Sequence, residues 1–92
     1  MKSDKPLSER PYMRLLKVFY IADGWINRDS LIEKSGFDKH YLEGFLQYFI
    51  YKNFIIKGKV NNRVFFRLNA HTRKHFRNSL MEAYPDDLAG ID

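Results

Sequence analysis

Residues 27–52 read NRDSLIEKSGFDKHYLEGFLQYFIYK. Two residues divide this stretch. Asn27 and Asp38 each carry a side-chain oxygen able to accept from the free N–H groups of a first helical turn. After Asn27, Leu31 and Ile32 supply a short apolar face and predict a helix over residues 28–34. Ser35-Gly36 closes it, and Phe37 is expected in the core. After Asp38, Leu42, Phe45, Leu46 and Phe49 recur at helical spacing and predict a third helix running to about Lys52. Asn53 suits the left-handed residue beyond a last turn. Two helices across a tight turn that contains glycine form the helix-turn-helix pattern.

Upstream, Tyr12, Leu15, Leu16, Phe19 and Tyr20 mark an amphipathic first helix over residues 9–22. Ser8 is its expected cap, and Asp23-Gly24 its stop, with Gly24 able to take the left-handed conformation. Trp25-Ile26 is too short for a helix and reads as a β-bridge or a buried anchor. Downstream the period changes. Residues 54–59 and 63–68 are β-rich runs separated by Val60-Asn61-Asn62, and an Asn-Asn pair tolerates positive φ in a hairpin turn. Alternation would put Phe54, Ile56 and Gly58 on one face with Val64, Phe66 and Leu68. Lys57, Lys59 and Arg67 would then lie on the opposite, basic face. Asn69 can cap a fourth helix from Ala70 to about Tyr84, which Pro85 ends. Residues 1–8 read as a flexible arm, 9–84 as one domain, and 85–92 as an acidic, frayed tail.

The chain has 92 residues, 45% apolar and 16% aromatic, which is enough for one core and no more. It has no cysteine, which removes disulfides, thiolate zinc sites and a cysteine nucleophile. No apolar run is long enough to span a bilayer, and the polar start lacks the apolar stretch of a signal peptide. A cytoplasmic protein off the membrane is expected. Residues 1–79 hold all 16 Lys and Arg against seven of the 11 acids, a balance of +9, while the remainder carries −4. From Gly44 to Met81 there is no acid at all. Such a field draws a polyanion, or serves as a solvated basic surface.

The order helix, bridge, helix, turn, helix, hairpin, helix resembles the winged-helix domain, and its residue pattern resembles regulators of the MarR, ArsR and PadR type. Leu31-Ile32-Glu33-Lys34-Ser35-Gly36-Phe37 is similar to that family's second helix and turn. Leu42-Glu43-Gly44-Phe45-Leu46 is similar to the middle of its recognition helix. Lys52-Asn53-Phe54-Ile55 is similar to the lead into its wing, and Phe66-Arg67-Leu68-Asn69 to the strand end that opens its last helix. The resemblance implies an α+β winged-helix fold: a three-helix helix-turn-helix core, a two-stranded β-wing and a C-terminal helix. It implies a DNA-binding transcriptional regulator, double-stranded DNA as partner, and a homodimer. Where family recognition helices carry Ser, Thr or Arg, this chain has His40, Glu43, Gly44 and Gln47; Glu43 would repel phosphate.

On that resemblance the base readers would be Lys39, His40, Glu43, Gln47 and Tyr48, with Glu43 able to accept from cytosine and Gln47 to read adenine. Lys57, Lys59, Asn61, Asn62, Arg63 and Arg67 of the wing would contact backbone. Arg73 and Lys74, with Arg77 nearby, would add phosphate contacts or pair with the acidic tail. Phe76, Leu80 and Tyr84 form an i+4 stripe that would seam a dimer or pack on the first helix. Tyr48, Ile50, Tyr51 and Phe65 exceed what a solvated face needs, so a protein-interaction module docking through them and the wing is the alternative function. His71 and His75, at i, i+4, lack a third ligand in the sequence nearby, so no metal is expected. No cofactor is expected, and no nucleophile elbow, phosphate-cradling loop or carboxylate pair suggests an enzyme.

Overall fold

The computed structural model describes residues 9–91. Within them lie α1 (Pro11–Ala22), α2 (Arg28–Ser35), α3 (Lys39–Tyr51), β1 (Ile55–Val60), β2 (Arg63–Leu68) and α4 (Ala70–Ala83). The result is a mixed α+β fold of four helices and a two-stranded antiparallel sheet.

Three of the helix starts follow from their first residues. Asn27 Oδ1 accepts from Ser30 N–H at 2.8 Å, Asp38 Oδ1 from Tyr41 N–H at 2.8 Å, and Asn69 Oδ1 from His71 N–H at 3.2 Å. These are the cap bonds that the three side chains promised. The expected cap at Ser8 lies outside the described residues. Arg10 holds the N-cap position of α1 without a side-chain bond, and Pro11 supplies the preset φ of a first helical residue. At the other end Asp23, not Gly24, takes the left-handed conformation, with φ 51°. A short polar side chain tolerates that region, and the Asp23 N–H still closes the helix onto Phe19 O at 3.1 Å.

The connection between α2 and α3 is three residues long. Gly36 sits at φ +76°, where a side chain would be strained, and its N–H reaches Ile32 O at 2.9 Å. Ser35 Oγ accepts from Phe37 N–H at 3.1 Å inside the protein. Arg14 of α1 donates to Ser35 O at 2.7 Å, tying the turn to the first helix. Phe37 drops into the core as expected.

The hairpin corrects one expectation. Asn61 and Asn62 both have positive φ, 51° and 66°, so the turn is two residues long and Val60 pairs with Arg63. Counting back from that pair sets Ile55 against Leu68, Lys57 against Phe66 and Lys59 against Val64. Partners across a ladder share a face. The core face therefore carries Ile55, Phe66 and Leu68, and runs outward into Lys57 and Lys59. Ile56, Gly58, Val60, Arg63, Phe65 and Arg67 share the other face. The expected apolar and basic faces do not exist, because a one-residue change in turn length inverts every side chain of β1 against β2. Ile26 bonds to Phe66 through both backbone groups, at 2.8 and 2.9 Å, and is itself buried. It is both the bridge and the anchor.

Trp25 stays half exposed on the outer face of the hairpin, its ring laid on Gly58. A Cβ at residue 58 would come within 2.9 Å of that ring. Gly58→Ala is therefore expected to swing Trp25 into water. The chain has a single tryptophan, so its emission should move to longer wavelength, with less than about 1 kcal/mol lost because the ring is free to yield. Unchanged emission in the folded variant would contradict the contact.

Two further corrections concern the C-terminal part. Leu80 and Tyr84 are buried within the chain's own core, and Phe76 packs edge-on to Phe54 at 5.4 Å. The stripe expected to seam a dimer is thus used internally, against α1 and the lead into β1. Burial pushes the Tyr84 phenol above its ordinary 10.0; the charge of Arg14 opposes this and that of Asp87 adds to it. Nor is the described part of the tail, residues 85–91, frayed. Leu88 is buried, its N–H donates to Tyr84 O at 3.1 Å, and Asp87 pairs with Lys17 at 3.1 Å. A buried leucine contributes roughly 1.5–3 kcal/mol, which is enough to hold a short segment in place. Among the described residues, no helix is long and apolar enough to cross a membrane.

Candidate nucleic-acid interface

With 100° of turn per residue, Leu42, Leu46 and Phe49 set the buried side of α3. Opposite them lie His40, Gly44, Gln47 and Tyr51, all exposed. Lys39 and Tyr48 are exposed on the flanks. Of the five expected base readers, four are thus open to solvent. The fifth, Glu43, is half-buried and held by Arg28, whose Nε donates to Glu43 Oε2 and whose second contact, Nη2 to Oε1, spans 3.4 Å. The Arg28 guanidinium also lies 5.2 Å from the Phe66 ring centroid. One side chain therefore links the start of α2, the middle of α3 and the centre of β2. It also neutralises the carboxylate that would otherwise repel a phosphate.

The hairpin register decides which cations join this face. Lys57 shares the core side of the sheet with Phe66, so it turns toward α3 and not away from it. With Arg28, Glu43, Gln47, Ile50 and Tyr51 it lines a groove of about 280 Å³ between helix and hairpin. Lys59 follows on the same face toward the tip and is exposed. At the tip, Asn62 and Arg63 border a second recess of about 430 Å³ with Asn27, Arg28 and Asp29 at the start of α2. Asn61 is exposed at the turn itself. Lys57 of β1 and Gln47 and Tyr51 on the outer face of α3 thus meet along one groove.

Two expected phosphate contacts lie elsewhere. Arg67 is on the opposite face of the hairpin, its guanidinium 5.5 Å from the Trp25 ring centroid. Arg73 is tied down in three ways. Its Nη1 donates to Tyr20 O at 2.9 Å and lies 3.4 Å from Asp23 Oδ1, and the guanidinium sits 3.9 Å from the Tyr20 ring centroid. It braces α4 against the end of α1, and its acidic partner is Asp23, not the C-terminal acids. Lys74 and Arg77 remain exposed on α4, as do His71 and His75, which border a hollow with Lys52 and Phe54.

Sequence reasoning missed Arg28, because its partner is 15 residues away and nothing local signals the pair. It also missed Tyr41, which the apolar periodicity leaves at the margin of the core and which is 48% exposed. Tyr48, Ile50 and Tyr51 are exposed as the surplus of aromatics suggested, and Phe65 is half-buried. Trp25, Val60 and Phe65 line an apolar hollow on the far side of the hairpin, bordered by Lys59, and exposed Ile56 shares that face. Compared with protein-family models and with curated proteins, the chain matches none.

Proposed function

We propose that this chain is a winged-helix DNA-binding domain acting in transcriptional regulation. In this reading α3 enters the major groove of duplex DNA and the hairpin serves as a wing along the backbone. The observation that carries it is the shared groove: Gln47 and Tyr51 of the exposed face of α3 and the inward-turned Lys57 border one concave surface whose single acid, Glu43, is paired with Arg28. Gln47 and His40 have the donors and acceptors to read base edges. Lys39, Lys52, Lys57, Lys59 and Arg63 are exposed cations for phosphate. The Arg28–Glu43 pair supports the reading by removing the one electrostatic objection on α3.

Fluorescence anisotropy of a labelled mixed-sequence duplex over a salt series tests this. Five phosphate contacts give a slope of log affinity against log salt of about −4.5. Absence of binding at low salt would contradict the reading. A second reading rests on the patch of Trp25, Ile56, Val60 and Phe65, an apolar surface fit for a protein contact. The two separate in the same titration: duplex bound at α3 leaves Trp25 emission unchanged, since that ring faces away from the groove.

A further inference from the structure

Tyr41 and Tyr48 stand seven residues apart on α3, nearly in line along the helix, and both are about half exposed. Between them Gly44 offers no side chain, and an added Cβ would meet nothing within 4 Å. The result is a shallow notch of about 300 Å³ lined by His40, Tyr41, Gly44, Phe45 and Tyr48. Tyr41 is held edge-on by Phe37 at 5.0 Å and by Phe45 at 5.3 Å, and Tyr48 lies 6.3 Å from Phe49. Seven residues of helix rise about 10.5 Å. A planar ring with a neighbour on each side, at the 4.5–7 Å of aromatic contacts, needs about 9–14 Å.

Charge decides which planar ring. Lys39 and His40 are exposed at the Tyr41 end, and the Lys52 ammonium lies 6.0 Å from the Tyr48 ring centroid at the other. The acids nearest in sequence are both engaged, Asp38 in capping α3 and Glu43 with Arg28. An aromatic group that arrives on a polyanion fits this notch better than one on a neutral peptide.

We infer that the notch between Tyr41 and Tyr48 takes one unpaired nucleobase, so the preferred ligand is a duplex that carries a bulged base. This rests on the nucleic-acid reading above and names the substrate within it. A base that is already unpaired pays least to leave the stack, and an aromatic platform accepts any base.

The test compares a fully matched duplex with the same duplex carrying one bulged 2-aminopurine. The bulged duplex is expected to bind about 5- to 100-fold more tightly, the range that stacking of one base supplies, with 2-aminopurine emission quenched on binding. Gly44→Leu fills the notch and is accommodated by the open space at residue 44. It should lose both the preference and the quench, and Tyr41→Leu, which removes the other wall at a residue outside the proposed duplex contact, should lose both while keeping matched-duplex affinity. Equal affinity for both duplexes, or quenching that survives Gly44→Leu, overturns the inference and leaves duplex binding standing. If neither duplex binds, the nucleic-acid reading falls and this inference falls with it.

Discussion

Replacing Phe49 by alanine is expected to lower the unfolding free energy by about 3–5 kcal/mol, the cost of emptying a closed aromatic site. Phe49 has no exposed surface and contacts Phe45 at 6.0 Å and Phe54 at 5.6 Å. It stands where α3 gives way to the hairpin, so the cavity opens at the joint between the two halves of the proposed interface. A domain of this length has a total stability on the order of 5–14 kcal/mol, so the variant loses about a fifth of it or more. Urea denaturation reads the change as a lower midpoint at unchanged slope. A loss under about 1 kcal/mol would mean that α3 and the hairpin are held together by something other than this ring cluster.

Removing Lys59 and Arg63 together is expected to reduce the salt slope of duplex binding from about −4.5 to about −2.7, two contacts at about 0.9 each. At 50 mM salt that corresponds to roughly two orders of magnitude in affinity. Both side chains are exposed, so stability should change by less than about 0.5 kcal/mol. Arg73→Ala is the counterpart. It deletes the bond to Tyr20 O and the contact with Asp23, so stability should fall by about 1–3 kcal/mol while the slope is kept. If Arg73→Ala altered the slope and the double variant did not, the placement of the interface on the hairpin would be wrong.

What the sequence discloses and what it hides divide along the range of the interactions. Asn27, Asp38 and Asn69 cap their helices through bonds that span three residues or fewer, so the starts of α2, α3 and α4 are legible. Gly36 and Phe37 follow from the same local logic. The hairpin is legible as a hairpin, since Asn61-Asn62 and the flanking β-branched and aromatic residues announce it. Its faces are not, because three large apolar residues in a row at 54–56, and again at 64–66, fix no phase. Reading the turn as three residues rather than two inverts the pattern, and the ladder from Val60–Arg63 corrects it.

The remaining gaps are tertiary. An i+4 stripe such as Phe76, Leu80 and Tyr84 states that something covers it without stating what, and here the cover is the chain itself. The acids at 86 and 87 suggest a solvated end, but the single Leu88 turns the segment back onto the core. Arg28 and Arg73 count equally as free cations in a charge tally. Only their neighbours, 15 and 53 residues away, remove them from it.

Amide chemical shifts followed by NMR during titration with a short duplex locate the contact surface on the fold. Changes are expected at His40, Gly44, Gln47, Tyr51, Lys57, Lys59 and Arg63, with Lys17, Asp87 and Leu88, where α1 meets the C-terminal segment, unmoved. Changes centred on α1 and the C-terminal segment, or no changes at all, would contradict the proposed interface.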